Sequence, residues 1–476
     1  MPQIGDTPSK TPFVTRPSPL LKPLVAIACG GTGGHLFPGV AVGEQLLLRG
    51  CDVTLLVSSK EVDQHAVTSA FGMKVATLPA VGMTRGKLLQ FAAGFWNSCR
   101  AAKQLFRERP PQAVLAMGGF TCAAPVLAGR ACGAATFLHE SNTVPGKANR
   151  WLAHFVDQAF VGFPTAAGRL HHTNILCTGT PVRPQFQPAE LAACRMALGL
   201  APERPVLLVM GGSQGASGIN DLVLQALPTL LKASPELQFI HLTGPSDVAK
   251  VQSGYDALKA KVVVRPFLTE MELALGAANV AVSRAGGSSL AEIAAMRLAS
   301  ILIPYPTAAD NHQLHNARAY ADTGAAFVLE QKGATSEALA SLILRLLTDQ
   351  PSHAAMAKAL EPWHHANAAE LIAERMIALV EAMHGGRWKR EHATNRPKAT
   401  HLSHHAGDEG GSSKSQAPSS REIPSLKLQQ PPTVHAVRNR TTTSDRSSWD
   451  LELGPSLELG VWTLELRSWE ECGQST

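Results

Sequence analysis

One short segment combines a histidine with a glycine-rich backbone. Residues 28–39, ACGGTGGHLFPG, contain five glycines and His35 between an apolar run and an amphipathic stretch. A glycine-rich turn between a strand and a helix lets backbone N–H groups and the helix dipole face an anion. Histidine titrates near neutral pH, so it can accept a proton from a hydroxyl group. The segment therefore predicts an anion-binding turn beside a candidate general base.

This turn matches no single diagnostic motif. Leu36 occupies the last glycine position of G-x-G-x-x-G, and no Gly-Lys-Ser/Thr follows as in a Walker loop. Glycines there could serve only close helix–strand packing. The chain, however, has four such turns, at Gly30–Gly34, Gly118–Gly119, Gly211–Gly215 and Gly286–Gly287. Because ligands of open α/β sheets bind at the carboxyl ends of the strands, the four turns favour a diphosphate held between two domains.

The elements that must position these turns alternate along the chain. Eleven short apolar runs alternate with segments of helical period, which predicts βαβ units and parallel sheets. PLVAIACGGTGGH opens the first half much as RPVLLVMGGSQGA opens the second. We therefore expect an α/β protein with two Rossmann-like parallel-sheet domains.

Composition shifts predict the domain boundaries. The first residues are rich in Pro, Ser and Thr, and the chain after about residue 385 is polar and of low complexity. We expect a disordered leader at 1–22, an N-terminal domain at 23–183, a C-terminal domain at 184–360, a helix packing back on the N-terminal domain at 361–385, and a disordered tail at 386–476.

Bulk properties argue against several classes of protein. The net charge is +6, but Lys and Arg are scattered, so we expect no nucleic-acid partner. The eight cysteines include no C-x-x-C pair and several lie in apolar runs, which favours a reducing compartment. The N-terminus lacks the apolar core of a signal peptide, and the apolar region 113–138 is broken by glycines. We expect a cytosolic protein that can still contact a membrane.

We expect neither a metal nor a cofactor. The sequence contains no D-x-D motif and no His/Cys/carboxylate cluster with metal-ligand spacing. A leaving phosphate would then be stabilised by backbone N–H groups, helix dipoles and Arg183. A nucleotide diphosphate leaving group fits such a site.

Together the motifs resemble one family. GGTGGHLFPG, MGGF, HESNTVPGKANRW, GTPVR, GGSQGA, SRAGGSSLAE and DNHQLHNA occur in the order found in the MurG family, across about residues 23–385. Its members are peripheral-membrane N-acetylglucosaminyltransferases of peptidoglycan synthesis. The resemblance implies a GT-B fold and inverting transfer of GlcNAc from UDP-GlcNAc to the C4 hydroxyl of MurNAc in undecaprenyl-diphospho-MurNAc-pentapeptide (lipid I), which gives lipid II. It also implies the cytoplasmic face of the inner membrane, with cell-wall synthesis and division proteins as candidate partners.

The resemblance further implies a set of donor-binding positions. Arg183 matches the arginine of the interdomain turn, Ser213 a serine near the phosphate, and Glu292 the residue on the ribose hydroxyls. Asn142 and Gln313 match sugar-contacting residues. The full set is Thr32, Gly33, Gly34, Asn142, Arg183, Ser213, Leu268, Gly287, Ser288, Ser289, Leu290, Ala291, Glu292 and Gln313.

Each donor-binding assignment has a structural alternative. Ser289 and Glu292 have capping-box spacing, and DNHQ nearly has it as well. Asn142 precedes a turn, where asparagine is favoured for local reasons. Arg183, next to a proline, could be a linker charge. The order of the whole set favours the functional interpretation.

Two residues are candidates for the catalytic base. His35 ends the glycine loop at the expected helix start, and its alternative role is to cap or orient that loop. Glu140, in HESN, is the rival base or an orienting residue. His139 beside it is expected to be structural. The family pattern is also altered at Ser141, where glutamine is frequent, and in FTCAAP of the second glycine loop.

The segment 81–111 carries the candidate membrane contact. An apolar stripe flanked by basic residues suits an interfacial helix on anionic lipid, although a helix packed on the sheet would look alike. The stripe consists of Leu88, Phe91, Phe95, Ala102 and Phe106. We expect its start to be exposed and the rest to be packed, with membrane contact by Met83, Arg85, Lys87 and Leu88.

Three other functions stay open at this stage. Another GT-B UDP-sugar glycolipid transferase would share the cleft, and a nucleotide-sugar epimerase would turn over the donor without an acceptor. A non-catalytic donor-binding subunit is the alternative from a different class. The presence of both His35 and Glu292 argues against that alternative.

Overall fold

Two parallel sheets organise the chain. The computed structural model describes residues 22–30, 33–58, 72–79, 88–212 and 215–383. The expected tail at 386–476 and the expected leader, except Lys22, lie outside these residues. All strand pairings within each sheet are parallel.

The first sheet has seven strands in the order β3-β2-β1-β4-β5-β6-β7. Its strands are β1 (Leu24–Ala28), β2 (Asp52–Val57), β3 (Lys74–Thr77), β4 (Ala113–Ala116), β5 (Ala135–Glu140), β6 (Gln158–Val161) and β7 (Ile175–Cys177). The described helices around it are α1 (Gly33–Leu48), α2 (Leu88–Glu108), α3 (Ala123–Ala131), α4 (Lys147–Leu152) and α5 (Pro164–Ala167).

The second sheet repeats this topology with six strands, in the order β10-β9-β8-β11-β12-β13. Its strands are β8 (Val206–Met210), β9 (Gln238–Leu242), β10 (Val262–Arg265), β11 (Val280–Ser283), β12 (Ser300–Leu302) and β13 (Phe327–Val328). Its helices are α6 (Leu191–Ala197), α7 (Ser217–Ala233), α8 (Val248–Ala257), α9 (Met271–Ala277), α10 (Gly287–Met296), α11 (His312–Asp322), α12 (Ser336–Thr348) and α13 (Gln350–Leu360).

Helices cover both faces of each sheet, so the central strands are apolar throughout. Every residue of β1 and of β8 is buried, as expected for parallel strands enclosed by two layers of helices. Buried side chains form one core on each face of each sheet. The carboxyl ends of the strands thus become the open edge that is left for a ligand.

The last described helix, α14 (Ala368–Met383), returns to the N-terminal domain. Ile372 and Met376 share the core that contains Ile27 of β1. Arg49 at the end of α1 pairs with Glu370 at 2.8 Å and with Glu374 at 3.1 Å. The chain therefore crosses between the domains twice, at the turn near Arg183 and before α14.

The predicted fold class of two Rossmann-like parallel-sheet domains is confirmed. Each of the eleven predicted apolar runs contains a strand. The sequence interpretation missed β3 and β13. β3 lies at the sheet edge with three of its four residues exposed, and β13 has only two residues, so neither produces an apolar run.

Candidate active site

The first two glycine turns lie side by side at the carboxyl ends of β1 and β4 and are joined by a hydrogen bond. An added Cβ on Gly30 would lie 2.6 Å from the backbone nitrogen of Ser58, so a side chain there would force a shift. The Thr121 hydroxyl of the second turn donates to the Gly30 carbonyl at 2.6 Å. Thr32 lies outside the described residues, whereas Gly33–Gly34 open α1.

His35 lies against the second glycine turn. It is the third residue of α1 and is partly buried. An added Cβ on Gly118 would lie 2.7 Å from Cε1 of His35, and Gly118 has a φ of +126°, which L side chains rarely adopt. The absence of a side chain at Gly118 therefore lets the imidazole approach the main chain, and the turn fixes the position of the candidate base.

Glu140 is the hydrogen-bonding centre of its own loop. Its Oε1 accepts from the backbone nitrogen and from Nδ2 of Asn142, both at 2.9 Å. Its Oε2 accepts from the Gly146 backbone nitrogen at 3.0 Å and from Nδ2 of Asn149 at 2.7 Å. The residue is only 2% exposed. Taking a substrate proton would disrupt these four hydrogen bonds, so the geometry favours an orienting role over a base role.

His139 makes structural contacts on the other side of this strand end. Burial lowers the pKa of His139 to about 4, so the imidazole is neutral at physiological pH. Its Nε2 lies 3.1 Å from the Gly179 carbonyl and its Nδ1 lies 3.3 Å from Oγ of Ser141. The neutral ring thus donates to the interdomain turn and accepts from Ser141. The altered Ser141 of the family motif orients this histidine.

Arg183, in the turn between the domains, is buried without matching acceptors. The residue is 5% exposed. Its Cζ lies 4.5 Å from the ring centroid of Phe37 in α1 and 5.0 Å from that of Phe186. Its Nε and Nη2 find no hydrogen-bond partner in the described part of the chain. Because buried guanidinium donors are normally satisfied, this arrangement suits an anionic ligand at the domain boundary.

Carboxylates from both domains surround this arginine. Burial raises the pKa of Glu292, in α10, to about 7; the charge of Arg183 lowers it and that of Glu272 raises it further. Burial also raises the pKa of Glu44, in α1, again opposed by Arg183. Among the described residues, no group of three or more His, Cys, Asp or Glu is placed to hold a metal ion. The positive charge of Arg183 therefore acts on a carboxylate from each domain, Glu292 and Glu44.

The segment that begins α10 meets the other domain directly. An added Cβ on Gly287 would lie 2.0 Å from the Ser141 carbonyl oxygen, so the two backbones touch at that point. Ser288–Ser289 are partly exposed. Leu290 and Ala291 are buried, with the Leu290 side chain in the core. The Leu290 N–H donates to the Gly286 carbonyl at 3.0 Å, and its own carbonyl accepts from the Tyr320 hydroxyl at 3.2 Å. No side chain caps α10, which rules out the capping-box alternative here.

Gln313 is held in place through one end of its amide. Its Oε1 accepts from the backbone nitrogens of Tyr305 at 3.0 Å and Ala285 at 3.3 Å. The Nε2 group is thereby turned outward as the donor that remains for a ligand hydroxyl. Leu268 is partly buried in the loop after β10, and Ser213 lies outside the described residues.

Asn316 is a residue that the sequence interpretation did not single out. It lies one helical turn after Gln313 in α11, is fully buried, and contacts residues of the N-terminal domain. The quoted motif DNHQLHNA contains it. Its partners in the N-terminal domain lie more than 170 residues away in the sequence, so no local pattern could show its role.

The structure describes the candidate membrane segment only from the start of α2 onward. Met83, Arg85 and Lys87 lie outside the described residues, and Leu88 is the first residue of α2. Further along the predicted stripe, Phe91, Ala102 and Phe106 are buried against the protein, and Phe95 packs beside them. Trp96, on the same helix, is 50% exposed. No described helix is long and apolar enough to cross a bilayer.

Comparisons with known proteins cover both domains. The N-terminal domain of glycosyltransferase family 28 matches residues 25–161 and its C-terminal domain matches residues 206–376. The UDP-N-acetylglucosamine--N-acetylmuramyl-(pentapeptide) pyrophosphoryl-undecaprenol N-acetylglucosamine transferase of Citrifermentans bemidjiense is 34% identical over 74% of this chain and 98% of its own. The crystal structure of Acinetobacter baumannii MurG is similar with a TM-score of 0.57 at 26% identity, covering 75% of this chain and 99% of that one.

A related fold also occurs in another kind of enzyme. The UDP-GlcNAc 2-epimerase of Neisseria meningitidis, solved with UDP-GlcNAc, superposes with a TM-score of 0.57 at 14% identity, over 75% of this chain and all of its own. At that identity the likeness concerns the fold alone.

Two Rossmann-like domains with glycine turns and a buried arginine between them define a GT-B enzyme that acts on a nucleotide sugar. The chain belongs to the MurG family of N-acetylglucosamine transferases, within glycosyltransferase family 28. The resemblance stated from the motifs is thereby confirmed.

Proposed function

We propose that the chain transfers GlcNAc from UDP-GlcNAc to the C4 hydroxyl of MurNAc in undecaprenyl-diphospho-MurNAc-pentapeptide, and so converts lipid I to lipid II in peptidoglycan synthesis. The observation that carries the proposal is the match, across both domains, to 98% of the length of the N-acetylglucosamine transferase of Citrifermentans bemidjiense. The buried, unsatisfied Arg183 between the domains supports an anionic donor there.

The proposed chemistry is a single inverting displacement at the anomeric carbon. His35, held against Gly118, takes the proton of the acceptor hydroxyl as that oxygen attacks. The UDP diphosphate leaves with its charge facing Arg183 and the helix start at Gly287. Glu140 orients the loop that carries Asn142. Glu292 accepts hydrogen bonds from the ribose, and Gln313 donates to a sugar hydroxyl through Nε2.

The remaining assignments of the donor site belong to the same proposal. Thr32 and Ser213, in the glycine turns, contact the phosphates, and the main chain at Leu268 faces the uracil. The main chain around Leu290 borders the ribose. Together with the neighbouring glycines, these groups supply contacts without a metal ion.

We also propose that the protein acts at the cytoplasmic face of the inner membrane as a peripheral protein. The acceptor lipid lies in the bilayer, so the enzyme must dock on an anionic surface. Met83, Arg85, Lys87 and Leu88 combine apolar and basic side chains next to α2. A double variant, Lys87→Glu with Leu88→Glu, should weaken binding to anionic liposomes; binding equal to that of the parent would contradict this docking site.

The function is tested by incubating the full chain with labelled UDP-GlcNAc and a lipid I analogue in EDTA. Formation of the disaccharide-lipid would establish the donor, the acceptor and independence from metal together. Donor binding without transfer would point instead to another acceptor or to a binding subunit. Formation of an epimer in the absence of acceptor would identify an epimerase.

A further inference from the structure

Asn316 joins the two domains through a fully occupied amide group. Its Oδ1 accepts from the backbone nitrogen and from Oγ1 of Thr143, both at 2.9 Å. Its Nδ2 donates to Oδ1 of Asn142 at 2.9 Å and to the Ala285 carbonyl at 3.0 Å. The side chain is 0% exposed. We call these four residues the interdomain junction.

Both ends of the junction continue into the proposed active site. On the N-terminal side, Nδ2 of Asn142 donates to Glu140 at 2.9 Å. On the C-terminal side, the backbone nitrogen of Ala285 donates to Oε1 of Gln313 at 3.3 Å. A series of hydrogen bonds, joined through the main chain of Ala285, therefore runs from the loop that follows β5 to the glutamine proposed to contact the donor sugar.

The junction differs from an exposed ion pair across the same boundary. Arg150 of α4 pairs with Asp310 at 2.9 Å, but both side chains are more than a third exposed. Exposed ion pairs contribute little, because water and salt screen them. Buried hydrogen bonds act in a low dielectric, and each buried partner left unsatisfied carries a desolvation cost. The junction is thus better able than this ion pair to fix the relative position of the domains.

We propose that Asn316 and Thr143 are positioning residues for glycosyl transfer. Neither residue touches the substrates; the pair holds the loop of Asn142 at a fixed distance from Gln313, and with it the two residues, one from each domain, that are proposed to orient the donor sugar. Transfer rates are sensitive to such placement, because the reacting atoms must meet within a narrow range of distance and angle. This inference rests on the proposed transferase function.

The Thr143 hydroxyl offers a conservative test of this role. Thr143→Val replaces the hydroxyl by a methyl group of similar size, whereas Thr143→Ser keeps the hydroxyl. We expect Val to lower kcat about fivefold, the effect of losing one ordinary hydrogen bond. We expect Ser to stay within about twofold of the parent, since it keeps that bond. Thr143→Ser should also keep the parent donor Kd, measured without acceptor, because the junction that positions Asn142 and Gln313 stays intact.

A stronger variant and a matched control complete the kinetic test. Asn316→Ala leaves four polar groups without their partner, three of them in fully buried hydrogen bonds, so kcat should fall by about 100-fold. Arg150→Gln removes the exposed ion pair at the same domain boundary and should change kcat by less than about twofold. The readout is kcat at saturating donor and acceptor, with Tm recorded for every variant to separate positioning from loss of folded protein.

A second measurement does not depend on turnover. The Thr143 backbone N–H donates to Asn316, so its hydrogen exchange should accelerate in Asn316→Ala and not in Arg150→Gln. If the parent protein fails to transfer GlcNAc, the proposed function is wrong. Faster exchange of the Thr143 N–H in Asn316→Ala would even then show that Asn316 holds the loop of Thr143.

Three outcomes would overturn the inference in a parent protein that does transfer. The first is Thr143→Val with the parent kcat. The second is Thr143→Ser losing as much activity as Thr143→Val, since the hydroxyl would then be irrelevant. The third is an Asn316→Ala effect that a lowered Tm explains completely.

Discussion

Two glutamates near the carboxyl ends of the two sheets have opposite environments. Glu140, at the end of β5, accepts four hydrogen bonds from its own loop. Glu292, in the second turn of α10, accepts none from any described residue, and its pKa is raised to about 7 by burial. One carboxylate is satisfied by the protein itself, whereas the other is held in an environment that disfavours its charge.

The contrast separates a structural carboxylate from one available to a ligand. The fold uses Glu140 to shape the loop 140–149, and loops of this kind carry functional groups on a rigid scaffold. Glu292 gains hydrogen bonds only when donors arrive from outside, as ribose hydroxyls would. A perturbed pKa beside a specific charged partner, here Arg183, is typical of a binding site. Under the proposed function, the N-terminal side is therefore preformed, and the donor would complete the C-terminal side.

The largest expected effect comes from removing the satisfied carboxylate. Glu140→Ala removes the acceptor of four hydrogen bonds, each worth about 1 kcal/mol, so we expect the free energy of unfolding to fall by about 4 kcal/mol. Glu292→Ala leaves no such donors, and its stability should stay within about 1 kcal/mol of the parent. Urea denaturation of both variants measures the difference. Equal losses in the two variants would remove the contrast between the glutamates.

A second prediction concerns the neutral histidine beside Glu140. The folded pKa of His139 is about 4, below the ordinary histidine value of 6.5. The unfolded chain therefore binds a proton between pH 6.5 and 4 that the folded chain does not, and stability falls as the pH falls through this range. His139 alone should contribute about 3 kcal/mol of that loss.

This acid sensitivity is measured by urea denaturation of the parent and of His139→Gln at several pH values. The variant should lose stability less steeply below pH 6.5, although its absolute stability at pH 7 is lower. His241, whose pKa burial lowers to about 3, stays in both proteins and serves as the common background. Parallel curves for the two proteins would contradict the prediction.

The third prediction addresses the glutamate available to a ligand. Glu292→Gln keeps the shape of the side chain but removes its charge, so hydrogen bonds from the ribose hydroxyls weaken. We expect donor affinity to fall about 30-fold, the range of charge-assisted hydrogen bonds. Stability should be unchanged or slightly higher, because a buried charge is removed. Calorimetric titration with UDP-GlcNAc checks it; parent-like affinity would argue that Glu292 faces away from the donor.

How far the sequence predicts this molecule depends on the distance over which contacts act. Strand runs such as LVAIA are local, and the repeat of strand, glycine turn and helix predicted both domains. The four hydrogen bonds that Glu140 accepts also come from within nine residues of it. The sequence nevertheless could not show whether this carboxylate is satisfied by the protein or available to a ligand. Asn316 binds a loop 173 residues away, so only the folded chain reveals it.

The smallest predicted effect is the pH dependence of donor binding, and it tests Glu292 in the unmodified protein. Since the pKa of this carboxyl is about 7, it is largely ionised at pH 8 and largely protonated at pH 6. A protonated carboxyl accepts hydrogen bonds weakly, so the affinity for UDP-GlcNAc should fall as the pH drops below 7, by at most about tenfold per pH unit.

The phosphates of a nucleotide sugar keep their charge across this range, so the change reports on the protein. Glu292→Gln should bind with the same weakened affinity at pH 6 and pH 8, because its amide does not titrate there. A pH dependence that survives in Glu292→Gln would assign the titration to another group, and His35 on the opposite domain would be the next residue to replace. A flat profile in the parent would mean that the donor binds Glu292 in either protonation state, and the contrast with Glu140 would then rest on hydrogen bonding alone.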